Sequence, residues 1–200
     1  MPRSFRWAVS VAVIIGFQVA LSAAFDVQEA LHIENALTGS EEAPLLGTAL
    51  SPAVQKQIWM TKRVAYQTAV TNLLPWRVIS SALLTLAAGL VFFFGMRLRV
   101  SVEDRARAAE LLGAAAIGTA VLRSIDGAQS LVIARTVATE TGRVLIREGI
   151  QDAQLAASAV SAASTATSVI WSLVMVAVFM GLSSYFRSEG LRAALARDER

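Results

Sequence analysis

Few residues in this chain have types and spacing suited to chemistry, and the best placed are Arg123 and Asp126. They stand three positions apart, so on a helix they share a face and can pair. At bilayer depth an isolated charge is costly, so such a pair would have to turn toward protein or line a polar path. On a helix lying at a membrane surface the same residues form an ordinary solvated salt bridge. The sequence slightly favours that plainer arrangement. Gln129, one turn further on, is the other polar residue that could join a midplane site.

Glu29 and His32 form a single ExxH. Carboxylate-rich metal bundles need two such motifs plus further carboxylates. The chain has one His and no Cys, so a surface ion pair is the simpler expectation. The missing cysteines exclude disulfides, thiolate metal sites and a Cys nucleophile. There is no phosphate-binding Gly loop, GxSxG, HExxH or dinucleotide fingerprint. The residue inventory therefore assigns no catalytic residue, no cofactor and no metal, and the chain reads as a non-enzyme.

The elements that must position these residues are apolar. Hydrophobic residues make up 55% of the 200 and charged ones 16%, against about 25% charged in ordinary soluble domains. Net charge is +3, and no block of like charge marks a nucleic-acid surface. All but two of the 18 basic residues are Arg, the exceptions being Lys56 and Lys62. That bias fits a GC-rich bacterial genome and, with the apolar runs, a bacterial inner membrane.

The reading is an all-α polytopic membrane protein, a helical bundle of three or four transmembrane helices with helical extensions. Residues 7–25 form an uncharged run near the length of a spanning helix. Arg3 and Arg6 precede it. Its apolar stretch is longer than a signal-peptide core, which points to an uncleaved anchor. Residues 76–96 are a second run, opened by Pro75 and closed by Arg97 and Arg99. Residues 161–186 hold a third, followed by a basic tail over 187–200. Residues 26–75 read as an extracytoplasmic helical hairpin. Asp26 and Glu29 would cap its first helix and Thr38–Gly39 end it. The stretch 40–47 is a loop, and Ser51–Pro52 start a second helix that can run to Leu74.

Basic residues place 97–110 in the cytoplasm and 26–75 outside. Ser101 and Asp104 suggest an N-cap there. Residues 111–134 have spanning length but carry Arg123 and Asp126 near the middle. The region 135–160 reads as a helical connection, with breaks expected at Thr141–Gly142 or Gly149. The charge rule does not separate three spans from four. The tail favours four, and the loop arginines favour three. A hairpin turning near residue 145 would set 111–134 against 155–178, apolar against apolar, and this favours four. The competing expectation is an amphipathic cytoplasmic helix, with Val121, Ile125, Ala128 and Val132 as its stripe.

Small residues recur at every fourth position in two runs: Ala12, Gly16, Ala20 and Ala24, then Ser164, Ser168 and Ser172. Such stripes let helices approach closely in lipid. Gly113 and Gly118 read as packing glycines within the doubtful run. The functional expectation is a non-catalytic membrane subunit or scaffold. It would associate through helices with itself or with a larger membrane partner, and with the bilayer. A small channel or transporter component, or a sensor receiving a signal on 26–75, are the rivals.

Overall fold

The computed structural model describes residues 3–31, 51–100, 104–147 and 151–198. Every element among them is an α-helix: α1 (Arg3–Leu31), α2 (Pro52–Val100), α3 (Arg105–Arg147), α4 (Gln151–Phe186) and α5 (Glu189–Asp198). Four of these, α1 to α4, are long and apolar enough to cross a membrane. At 1.5 Å rise per residue α2 is about 74 Å long and α3 about 65 Å, roughly twice the ~30 Å of a hydrocarbon core.

Helix continuity corrects several boundaries. Asp26 lies inside α1 and caps nothing, because α1 continues without interruption to Leu31. Pro75 does not open a new helix; it sits inside α2. Its ring removes the bond to the Thr71 carbonyl, yet the apolar packing on either side keeps the helix intact. Thr141 and Gly142 do not break α3, which runs to Arg147. There the Thr141 hydroxyl donates to the Val137 carbonyl at 2.7 Å, satisfying itself on its own helix. The proposed breaks at Thr38–Gly39 and Gly149, the loop 40–47 and the Ser101 cap lie outside the described residues.

Two starts are built as their residues suggest. The Val54 N–H donates to Ser51 Oγ at 3.4 Å and the Gln55 N–H to the Ser51 carbonyl at 3.1 Å, with Pro52 in the first turn. At α3 the turn residue is Asp104, with φ of 58°, a left-handed conformation that Asp tolerates better than most residues. Its carbonyl accepts the Ala108 N–H at 2.9 Å.

The chain divides into two compact units, each drawing on the same long helices. The first comprises Met1–Val27, Ile79–Asp126 and Ser172–Arg200. Its core takes Val9, Ala12 and Val13 from α1, Leu84, Ala88 and Val91 from α2, Leu112 and Ala116 from α3, and Phe179 and Phe186 from α4. Here α1 and α2 run antiparallel at very short range. A Cβ on Gly16 would lie 2.9 Å from the Phe92 nitrogen and 3.1 Å from the Ala88 carbonyl oxygen. A Cβ on Gly95 would lie 2.8 Å from Val13 Cγ2. A side chain at Gly16 would run into the α2 backbone and one at Gly95 would have to displace the Val13 methyl, and the approach gains dispersion contact for both helices.

The α3–α4 hairpin has a register different from the expected one. Gly113 lies under Arg187 and the Ser183 carbonyl, whereas a hairpin turning near residue 145 would set it opposite roughly residue 177, so the register is displaced by about two turns toward the end of α4. The segment of α3 inside the first unit is 105–126. The supposed basic tail is also structured: α5 places Leu191 and Leu195 in the core of the first unit.

The second unit comprises Gln28–Val78 and Gly127–Trp171. Ala69, Val70 and Ile133 form a small core there, with Tyr66, Leu73 and Val137 packed against it. Arg63 lies 5.3 Å over the Trp59 ring, a cation–π contact.

Candidate functional site

Asp126 is the last residue that α3 contributes to the first unit, and Arg123 stands one turn before it. Arg123 Nη1 donates to Asp126 Oδ2 at 2.5 Å, with the side chains only 15% and 8% exposed. The pair is thus turned inward, which corrects the expectation of a solvated pair on an interfacial helix. Eighteen residues separate Arg123 from Arg105 at the start of α3, about 27 Å along the axis. The pair lies near the far limit of the first unit, close to one hydrocarbon thickness from the opposite end.

Two buried polar atoms have no hydrogen-bond partner among the described residues: Arg123 Nε and Ser81 Oγ. Several hydroxyls of the first unit, from the buried Thr119 to the exposed Ser124, turn back onto their own helix. Thr119 Oγ1 donates to the Ala115 carbonyl at 2.9 Å, Ser124 Oγ to Ala120 at 3.0 Å and Thr85 Oγ1 to Ser81 at 2.8 Å. This keeps polar side chains inside without demanding an interhelical partner. The Arg123–Asp126 pair is the exception. It holds two opposite charges out of water, and loss of either would strand the other.

The small-residue positions divide by face. Ala12 is fully buried and Gly16 is buried against α2. Ala20 is partly buried against the core, and Ala24 is exposed. The α1 stripe is therefore largely an internal seam. Ser172 is partly buried. Ser164 and Ser168 lie within α4, but their side chains are outside the described set. His32 is likewise outside it, so the ExxH has no described geometry.

A different set of small residues faces outward. Ala114 on α3 and Ala177 and Gly181 on α4 are exposed, and Gly118 is half-exposed. A Cβ on Gly118 or on Gly181 would meet nothing within 4 Å. Gly118 is thus not a packing glycine of this fold, whereas Gly113 is. The spacing Ala114–Gly118 and Ala177–Gly181 is itself small-xxx-small and was readable in the sequence. The richer alanine background of both helices hid it.

The opposite end of the first unit is basic. Tyr185 donates from its hydroxyl to Ser4 Oγ at 3.3 Å, and the Phe5 and Phe186 rings meet edge-on at 6.2 Å. The start of α1, the end of α2, the start of α3 and the end of α4 thus share one level. Arg3, Arg6, Arg99, Arg107 and Arg187 are all exposed there. Arg97 pairs with Asp104 at 3.9 Å. Comparison of the chain with protein-family models, with curated protein sequences and with solved structures returns no match.

Proposed function

We propose that this chain is a four-span membrane protein, of the bacterial inner membrane, that acts without catalysis as a subunit or scaffold through helix–helix association. The observation that carries the reading is the exterior of the first unit. Ile79, Leu83, Leu86, Leu90 and Phe93 on α2 are 47–65% exposed, and Ile14, Phe17 and Leu21 on α1 are 45–64% exposed. A surface this apolar on every side is unfavourable in water and suits lipid or another membrane helix.

Four spans are supported by the second unit. With three spans at 7–25, 76–96 and 161–186, residues 66–73 would lie outside the cell and 133–137 inside. Those two segments pack together around Val70 and Ile133. Only a crossing by α3 leaves them on the same side. The basic end then lies in the cytoplasm, in keeping with the charge bias, and the C-terminus lies there too. A reporter fused after Arg200 tests this: cytoplasmic activity is the expected outcome, and periplasmic activity would overturn the four-span topology.

Association is supported by the outward small-residue faces on α3 and α4, around Gly118 and Gly181, which the fold itself leaves open. Crosslinking in native membranes followed by mass measurement should give a homo-oligomer or a complex with a second membrane protein. A free monomer with ion flux that Arg123→Ala abolishes would favour a channel instead.

A further inference from the structure

We propose that the arginine-rich end of the first unit binds the anionic headgroups of bilayer phospholipids, with their acyl chains along the outward α1–α2 face. This rests on the membrane reading above. The first support is charge. Arg3, Arg6, Arg99, Arg107 and Arg187 are exposed at one level. The acidic residues described near them are Asp104, which faces Arg97, and Glu110 and Glu189. Positive charge therefore dominates. Every basic residue at this end is Arg, none Lys. A guanidinium presents its donors as a planar fork matched to two phosphate oxygens, which an ammonium cannot do.

The second support is what adjoins those charges. On α1 the exposed residues read Arg3, Arg6, Trp7, Ile14, Phe17, and on α2 they read Arg99, Met96, Phe93, Leu90 from the same end. The two stripes lie side by side, as the Phe17–Phe92 ring contact at 5.6 Å requires. Each passes from guanidinium to apolar surface within one helical turn. Trp7, 73% exposed, stands at that transition, where amphipathic rings favour the headgroup level. A phosphate next to a hydrocarbon chain has the same sequence of chemistry. A free anion would use only the charged part of this surface.

The test uses the full-length protein in nanodiscs of phosphatidylcholine alone or mixed with phosphatidylglycerol, read by thermal unfolding. Phosphatidylglycerol should raise the midpoint by a few degrees, less so at high salt. Replacing Arg3, Arg6, Arg99 and Arg107 together with Gln should abolish the difference. Arg135→Gln with Arg143→Gln, in the second unit, should retain it. Should the quadruple Gln variant fail to accumulate, the corresponding Lys variant gives the readout, with a reduced but salt-sensitive response. Equal midpoints in the two lipids for the native chain would overturn the proposal. So would a response that survives the Gln substitutions, or one that soluble glycerol phosphate reproduces in phosphatidylcholine. Alkaline carbonate extraction separates the two levels of the argument. Release of the native chain would defeat the membrane reading itself, whereas a retained chain indifferent to lipid charge defeats only the headgroup site.

Discussion

The outward stripe of α2 changes character where one unit gives way to the other. In the second unit its exposed positions mix Gln67, Thr68, Thr71 and Asn72 with Met60, Val64 and Trp76; in the first, from Ile79 to Met96, they are all apolar, with Leu83, Leu86, Leu90 and Phe93 between. The helix is the same and so is the periodicity, so local propensity does not explain the difference. The membrane reading proposed above accounts for it. The interiors differ less. The second unit packs on Ala69, Val70 and Ile133, and the first on a larger set of Ala, Val, Leu and Phe. The two stretches thus differ in the composition of their exposed positions more than in their buried ones.

The most severe test of this contrast is where α3 leaves the first unit. Arg123→Ala leaves Asp126 buried without its partner and should cost about 3–5 kcal/mol, seen as loss of folded protein in detergent. The exchange Arg123→Asp with Asp126→Arg should recover part of that loss. Equal tolerance of the single and the exchanged variants would mean the position is wet. Next in size is a charge placed on each outward stripe. Leu86→Arg should cost about 3 kcal/mol of insertion, whereas Thr68→Arg should change stability by less than about 0.5 kcal/mol. A glycosylation or cysteine-labelling insertion assay reads both, and similar costs would erase the distinction between the units.

Smaller effects probe the glycines. Gly16→Val forces side-chain atoms into the α2 backbone and should cost about 1–3 kcal/mol, measured as a lower unfolding midpoint. Gly118→Ala meets open space and should stabilise the isolated chain by up to about 1 kcal/mol through helix propensity. If Gly118 lies in an association face, the same change should weaken the crosslinked species while the monomer gains stability.

Much of this architecture was legible in the residues. The uncharged run after Arg6 and the run before Arg97 are helices, and Ser51–Pro52 start a helix as their types dictate. Ala12 and Gly16 were marked by spacing, and their partner helix was not, because small residues alone do not say which neighbour they admit. Pro75 misled for a physical reason. A single lost hydrogen bond costs less than the tertiary packing of a 49-residue helix returns. The α3–α4 register differs from the expected one because α3 continues through Thr141–Gly142 to Arg147 and α4 begins at Gln151, which carries the turn past residue 145. Residues 187–200 read as a tail because four arginines mask the spacing of Leu191 and Leu195. For the candidate site, the pairing of Arg123 with Asp126 was evident from their separation. Its burial was not, since that depends on which face of α3 the other helices occupy.

The contact between Phe5 and Phe186 also fixes an order of events during synthesis. Ser4 and Tyr185, which hydrogen-bond beside it, are 181 residues apart in the chain, whereas Gly16 and Phe92 are within the first half. The α1–α2 seam can therefore close while α4 is still untranslated. The first helix keeps one aromatic edge unsatisfied until the last turns of α4 leave the ribosome. Closure of the first unit around Phe5 thus waits on the last turns of α4, and a nascent chain arrested before Tyr185 would lack the ring that covers Phe5.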